Sequence, residues 1–576
     1  MNAKLMPSIV LICFVFFMVS SCKKYDVGTA KVIELKDAKI NANDLHSKSV
    51  YTTVDRVVLP DAVISGKVIK PWDVSLFSTY NYGKWQFGHG YPYKRMLELM
   101  PYGYSSKSDT KAVSLLHFFT MTDIHITDKE SPAQTIEYSF IPAIFSSSIS
   151  CYSPSMLFST HVLNAAIQTI NDINRQNPLD FGIALGDMAN TSIYNEFRWF
   201  IDLFDGKNIN PDSGKKDDPI PGPANDYQDK YQAEGLCKSI PWYATIGNHD
   251  HFFIGAKKFN EKVRKNLIGR EILQMGNAFT QDNALDLNTY SMGTLDGRTL
   301  YGDIIGAGVV AEMKNIPTIP ADLNRRALTK VQIMKEFSNT TTIPRGHGFN
   351  QPNIFDGCYT FEPKSDLPLR VIVLDDTMDE SENPPSGVGY GCGSLGNGRF
   401  EWLIKQLQAG QREDKLMIIA AHIPIGVEAP QSILGWIDGA AQDEIIAELK
   451  KYPNFMLWLS GHRHFDAVTP FASGDKGHPE NGFWEVETRS LREFPQQFRT
   501  IDIMRNSDNT ISILAADVDP DVSHNSFAAL SRSYAIASYQ AYDRLESPLP
   551  TNVELVKKLT LRMQGKISKY KPSGSK

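Results

Sequence analysis

The chain has 576 residues, of which 42% are hydrophobic, 22% charged and 11% aromatic, and its formal net charge is −6. That is globular composition, which excludes a disordered, collagen-like or coiled-coil protein and gives no support to a nucleic-acid binder, since such a protein needs a basic face. At roughly 150 residues per domain the length allows about two to four domains, or one domain with large insertions.

The first segment stands apart from the fold. Lys4 precedes an 11-residue apolar core at residues 9–19 (IVLICFVFFMV). That core is too short to span a bilayer comfortably and has the length of a signal h-region. It ends in Val19-Ser20-Ser21-Cys22, which resembles a bacterial lipobox, a signal cut before a cysteine that then carries lipid. Residues 1–21 are therefore expected to be a lipoprotein signal peptide and Cys22 the lipidation site. The alternatives are an ordinary signal cut nearby and an uncleaved anchor. The expectation places the protein at the cell envelope, facing the periplasm or the exterior and held to the membrane by its lipid. Four cysteines remain, Cys151, Cys237, Cys358 and Cys392, with no CxxC spacing. Four allow three pairings, among which a sequence cannot choose.

Residues 22–112 read as a polar tether followed by an aromatic-rich N-terminal extension. From residue 113 short apolar runs alternate with amphipathic segments. The runs are 114–122, 180–185, 242–246, 369–374, 415–421 and 454–460, each suited to a strand buried on both faces. Leu163, Ala166, Ile167 and Ile170 keep helical spacing, as do Phe400, Leu403, Ile404 and Leu407; residues 440–451 fit an amphipathic helix. Strands alternating with helices argue for an α/β core. After residue 482 the pattern turns to strands, which reads as a second sheet. The core is expected over 113–520, with a long insertion at about 251–355, loops at 205–240 and 377–398, and a helical C-terminal extension over 521–576.

Polar residues recur where the apolar runs stop. The first ends in Asp123-Ile124-His125, the second in Gly186-Asp187-Met188-Ala189-Asn190 and the third in Gly247-Asn248-His249-Asp250. The fifth ends in His422 and the sixth in Gly461-His462-Arg463-His464. Ligands of α/β sheets bind outside the carboxyl ends of the strands. Five run ends thus deliver five of the chain's 13 histidines, with Asp and Asn beside them, to one edge. Any one of these ends is more often a turn; the ordered set of five is what carries weight. Mixed carboxylate, imidazole and amide donors suit Mn, Fe or Zn rather than a thiolate-seeking ion.

In that order DIH, GDMAN, GNHD, AAH and GHRH resemble the calcineurin-like metallophosphoesterase superfamily, over roughly residues 113–515. The exported, tethered form looks like a bacterial lipoprotein branch of it. The resemblance implies an α/β fold, a two-sheet αββα sandwich here carrying N-terminal, internal and C-terminal extensions. It also implies two divalent or trivalent transition-metal ions. Carried over by motif, one ion takes Asp123, His125, Asp187 and His464, and the other takes Asp187, Asn248, His422 and His462. Asp187 would bridge, one oxygen to each ion. His249 would be the proton donor to the leaving oxygen. Family members often carry an acidic residue where Asn190 stands. An amide there can accept the same hydrogen bond but brings no charge, and Asp250 is the candidate to supply it; Asn190 and Asp250 are both expected just behind the ligands.

The implied function is a tethered phosphoesterase that hydrolyses a phosphomonoester or small phosphodiester by attack of a hydroxide held between the ions. A ligand-binding lipoprotein without turnover and a nuclease on the same fold are the alternatives. The acidic balance argues against a polyanion partner, and no protein partner is expected. Other features read more plainly. Gly391–Gly396 matches GxGxxG but follows no strand directly, so a loop near the metal edge is the better reading. Asp375-Asp376 reads as a turn, a rim carboxylate or a carboxylate just behind the ligands, and His251 and Arg489 as structural or surface residues unless they reach substrate. The basic stretch over 550–576 reads as a solvated helix and tail.

Overall fold

The computed structural model describes residues 50–571, except 65, 106–108, 141–149, 215–228, 280–286, 297–300, 351–353, 385–388, 397, 427–435, 437–438 and 545–546. The expected signal peptide and Cys22 lie outside the described residues.

The chain enters through a hairpin, β1 (Arg56–Pro60) and β2 (Trp85–His89), and a short strand, β3 (Lys94–Met96). Next come β4 (Val113–Met121), β5 (Phe181–Ala184), a two-residue pair β6 (Asn208–Ile209) and β7 (Tyr231–Gln232), and β8 (Trp242–Ala244). The insertion holds a hairpin, β9 (Tyr290–Asp296) and β10 (Asp303–Val309). Then follow β11 (Tyr359–Phe361), β12 (Leu369–Val373), β13 (Leu416–Ala420), β14 (Phe455–Ser460), β15 (Ala467–Phe471) and β16 (Phe483–Glu487). The last strands are β17 (Phe498–Arg505), β18 (Ile511–Val518) and β19 (Val553–Lys557).

These strands build two large sheets. One has seven strands in the order β3-β19-β18-β17-β4-β5-β8, the other six in the order β11-β12-β13-β14-β16-β15. The strands that carry the motifs run parallel: β4, β5 and β8 in the first sheet, β12, β13 and β14 in the second. Their carboxyl ends therefore share a direction within each sheet. Six apolar runs read as strands are strands, and the three helical spacings fall in the helices Ser159–Gln176, Arg399–Arg412 and Gly439–Leu449.

The sequence alternates as a sheet buried on both faces requires. In β12 Leu369, Val371 and Val373 join the core between the sheets, while Ile372 packs outward under Leu403 and Leu407 of the helix Arg399–Arg412. In β13 Leu416, Ile418 and Ala420 face inward and Met417 and Ile419 outward. On the other side Leu163, Ala166, Ile167 and Ile170 cover the seven-stranded sheet from the helix Ser159–Gln176. The layers are helix, sheet, sheet, helix. Each buried aliphatic face contributes about 25 cal/mol per Å² removed from water, which is why the layers stack rather than separate.

The structure redraws four expectations. The strands after residue 482 form no sheet of their own: β16 pairs with β14, while β17 and β18 extend the sheet of β4. Their sequences alternate in the same way as the earlier strands, so only pairing could sort them. The C-terminal extension is not purely helical, because β19 inserts between β18 and β3. The N-terminal extension likewise supplies β3, and its hairpin lays Trp85 and Phe87 against Ala535 and Ile536 of the helix Ser526–Ala541. The expected loop at 205–240 contains the small β6–β7 pair.

The insertion is pinned close to the ends of the first two motif strands. Phe253, Phe259, Val263, Leu267 and Met292 pack with Ala133 and Ile193. Arg325, fully buried, donates from Nε to Asp128 Oδ2 at 3.3 Å and to Ser213 Oγ at 2.8 Å.

Candidate metal centre

The turns after the strands bring the motif residues together, and they do so in an unusual backbone. Asp123, His125, Asp187, His462 and His464 all have φ between +47° and +71°. A non-glycine residue there carries strain on the order of 1–3 kcal/mol and persists only where its surroundings over-determine it. The glycines beside them answer a different need, close approach. A Cβ on Gly247 would lie 2.2 Å from Asp187 Oδ1, and one on Gly461 would lie 2.0 Å from Thr122 Oγ1 and 2.6 Å from Asp123 Oδ2. The turns touch each other through these two positions, one of which joins the two sheets.

Carboxylates behind the ligands hold the turns. Asp250 accepts the amides of Asp187 (2.9 Å), Met188 (2.8 Å) and Gly247 (2.8 Å), so it clamps the second motif turn to the third. Asp376 accepts the amides of His422 and Ile423, so of the readings for Asp375-Asp376 the structure selects, for Asp376, a carboxylate directly behind a ligand. Asp123 Oδ2 accepts from Thr122 Oγ1 (2.7 Å) and His462 N (2.8 Å).

The donor atoms left over converge. Three groups, Asp123/His125/His464, His125/Asp187/His249 and Asp187/His422/His462, each place their ligand atoms within 4.8 Å of one another. Asn248 Oδ1 lies 3.0 Å from both His422 Nε2 and His462 Nδ1. On the other side His464 Nε2 lies 3.2 Å from His125 Nε2 and 3.3 Å from Asp123 Oδ1. All seven sequence-derived ligands are thus at one place, in the two groups that the motif carry-over separates.

Asp187 lies between the two groups. Its Oδ1 accepts the His249 amide at 2.8 Å. Its Oδ2 faces both sides, 3.8 Å from His125 Nε2 and 3.3 Å from His422 Nε2. Oδ2 is thus the oxygen that faces both groups, while Oδ1 takes one amide hydrogen from the turn and keeps a second lone pair.

The donor set fits cations. Asp123 and Asp187 are fully buried, and burial works against their ionisation. Even so, His464 holds the Asp123 carboxyl below its usual range, and His422 does the same for Asp187. Conversely burial disfavours the charged imidazoles, yet Asp187 raises His422 to about 10, and Glu493 with Asp123 raises His464 to about 10. Carboxylates and imidazoles thus balance one another's charge inside the cluster, and the same oxygens and nitrogens are the donors that a cation would take in place of those protons. Asp123 Oδ1 and His462 Nε2 are buried and lack a hydrogen-bond partner. Asp123 Oδ1 thus has ion-pair neighbours, His464 Nε2 at 3.3 Å among them, but no hydrogen bond, which leaves its lone pairs open to a cation.

His249 sits on the rim of this cluster, its ring edge-on to His125 with centroids 4.6 Å apart. Nδ1 donates to Asn190 O at 2.7 Å, which leaves Nε2 to exchange protons. Burial lowers its pKa, with Asp187 opposing. A Cβ on Gly255 would meet His249 Cδ2 at 2.2 Å, so the first turn of the insertion packs directly on this ring.

Asn190 and Asp250 do not act through their side chains on His249. It is the backbone carbonyl of Asn190 that orients the ring, while its side-chain oxygen accepts from Arg492 Nη1 at 2.5 Å. Asp250 is turned to backbone amides, because the tight turn offers four of them within reach. Sequence reasoning missed Ser490, Arg492 and Glu493, which lie in no motif. Their only signal is a charged cluster, Arg489 to Glu493, in a buried segment directly after β16. The two residues weighed as substrate contacts are turned inward: His251 Nε2 lies 2.8 Å from Thr377 Oγ1, and Arg489 donates to the carbonyls of Ser547, Pro548 and Leu549. Gly391–Gly396 makes no dinucleotide turn, since β12 ends at Val373 and Gly393 bridges Thr377 and Trp436.

Fold and site together describe a two-sheet αββα sandwich with a candidate dinuclear metal centre across the strand ends. No protein-family model and no curated protein matches the chain. Among solved structures it is similar to a dimetal phosphatase from Danio rerio at 10% identity, over 71% of this chain and 100% of that one, with a TM-score of 0.35. It is also similar to a Staphylococcus aureus protein assigned as a 5'-nucleotidase and solved with alpha-ketoglutarate, at 11% identity over 74% of this chain, with a TM-score of 0.31. The match spans 58% of that protein's length. Likenesses this low carry no weight for function.

Proposed function

We propose that the protein is a metal-dependent phosphoester hydrolase, acting on a phosphomonoester or small phosphodiester. The observation that supports this best is the Asp187 Oδ2 atom standing between two complete donor groups built from five separate strand ends. Two cations held there would supply charge for a phosphoryl group and activation of its attacking water. The residues of the chain do the rest. Asp123, His125, Asp187 and His464 hold one position, and Asp187, Asn248, His422 and His462 the other. His249, with Nδ1 fixed on Asn190 O, presents Nε2 for proton exchange with a leaving oxygen. Mn, Fe and Zn suit these donors. A panel of aryl and alkyl mono- and diesters, tested on protein reconstituted with each metal, checks the reading. Full activity after chelation overturns it.

The envelope location is a second part of the proposal and rests on the lipobox-like end of the signal segment. Among the described residues no helix is long and apolar enough to cross a membrane. Cys22→Ser is expected to release the protein from membranes or block its processing. Unchanged partitioning into the detergent phase would point to another anchor.

A further inference from the structure

The ligand histidines are oriented by two kinds of group. His422 uses the backbone, its Nδ1 donating to Leu185 O at 2.7 Å. His464 uses a side chain, its Nδ1 lying 3.0 Å from Glu493 Oε1. Glu493 belongs to the segment 488–497 between β16 and β17. That segment reaches the site at four points. Thr488 N donates to Ser460 O at the end of β14 (2.8 Å), and Ser490 Oγ donates to Asp123 O (2.7 Å). Arg492 Nη1 donates to Asn190 Oδ1, and Glu493 meets His464. Thr488, Ser490, Arg492 and Glu493 are all buried. Arg492 is held from behind as well, Nη2 donating to Ser150 O at 2.8 Å.

We propose that Arg492 and Glu493 are two positioning residues with separate targets: Glu493 fixes His464 and with it the Asp123–His125–His464 donor group, while Arg492 locks Asn190, whose carbonyl fixes His249. The inference rests on the metal reading above. An imidazole can bind a metal through either nitrogen, and the hydrogen bond made by one decides which is left. A proton held on Nδ1 by Glu493 turns Nε2 toward Asp123 Oδ1 and His125 Nε2, and a carboxylate acceptor makes the ring a stronger donor. Arg492 is aimed at Asn190 rather than at that ring, although its Nη2 and Glu493 Oε1 share Ser150 as a partner. Its fork joins the Asn190 side chain to Ser150 and so sets the carbonyl that accepts from His249 Nδ1. Neighbours in sequence thus serve the metal ligands and the proton-handling histidine respectively.

The test is zinc titration of the full folded chain against a competing chelator, with kinetics on an alkyl phosphate alongside. Wild type is expected to hold two zinc ions. Glu493→Ala should weaken one of the two sites about 10–100-fold and spare the other, with Glu493→Gln falling between. Arg492→Met should keep both zinc affinities near wild type and lower kcat rather than raise KM. Wild-type zinc affinities in Glu493→Ala overturn the Glu493 assignment. A wild-type kcat in Arg492→Met overturns the Arg492 assignment. Equal zinc loss in both variants overturns the separation and makes the segment a common prop. If circular dichroism finds Glu493→Ala unfolded, the near-isosteric Glu493→Gln carries the same test, and unchanged affinity at both sites overturns the assignment. Failure of the wild type itself to bind zinc or any other transition metal is a different result and rejects the metal reading instead.

Discussion

The two halves of the donor cluster reach similar electrostatics by different means. Around His422 the ring is held by backbone, the Leu185 carbonyl on Nδ1, while its amide donates to the Asp376 carboxylate. Around His464 the support is a side chain from a distant segment, Glu493, itself met by Ser150. Both imidazoles end raised to about 10, each by carboxylates that outweigh burial. A backbone carbonyl survives any substitution at its own residue, whereas a carboxylate does not. The His422 ring is therefore oriented by the strand ends themselves, with Asp376 holding only its amide, whereas the orientation of the His464 ring depends on one distant side chain being kept.

The largest expected effect erases the comparison. Asp187→Asn removes the charge shared by both halves, so bound metal should fall from about two ions to less than one, with activity falling to background. Metal analysis of the purified variant beside its kinetics checks this; two retained ions would show that the halves do not share Asp187.

A smaller change should split the halves. His422→Ala and His464→Ala are each expected to lose one ion and keep the other, at a cost of about 10–100-fold or more in affinity at the damaged site. If both variants lose both ions, the halves form one cooperative unit and the contrast between them has no thermodynamic content.

His249 touches neither half as a required ligand, so it tests whether chemistry and metal holding are separate. An alkoxide leaving group needs a proton in the transition state, and a nitrophenolate hardly does. His249→Ala should lower kcat on an alkyl phosphate by about 10²–10⁴-fold and much less on a nitrophenyl ester, with metal content kept. Equal losses on the two esters would reassign the ring to phosphate positioning or metal support.

The smallest effect is on the pH dependence of stability in chelated protein. His464 and its neighbours hold Glu493 down to about 2, against burial. Its contribution is present above the unfolded value near 4.5 and is lost as pH falls toward 2. The raised His464 contributes fully below its unfolded value near 6.5 and is lost as pH rises through about 10. Urea unfolding should therefore find this pair strongest between about pH 4.5 and 6.5. Glu493→Gln should flatten both flanks, and an unchanged profile would dissociate the pair from stability.

Much of the fold was legible because strands buried on both faces leave apolar runs that a sequence cannot disguise. Val371 and Ile372 are both apolar, one facing each side of the sheet, and the run 369–374 announces that. The seven ligands were legible because metal donors must be particular residue types at the ends of those runs. Sheet membership was not legible. β16 and β17 look alike in sequence but pair in different sheets, since pairing is a choice among partners and leaves no mark on the strand. β3 and β19 were hidden because they lie in segments read as extensions and pair with each other at the edge of the seven-stranded sheet.

The sequence by itself determined which atoms are available: carboxylates, imidazoles and one amide after apolar runs, with small residues where turns must close. The tertiary structure decided how those atoms are used. It placed five ligands at positive φ, set Asp187 Oδ1 on the His249 amide with Oδ2 facing both donor groups, and turned the Asn190 side chain to Arg492 while its carbonyl took His249. The reason is that a hydrogen bond is decided by distance and direction between groups that may lie hundreds of residues apart, as Glu493 does from Ser150 and Arg492 from Asn190. Residue types are local, and the competition for their lone pairs is settled only when the chain has closed around them.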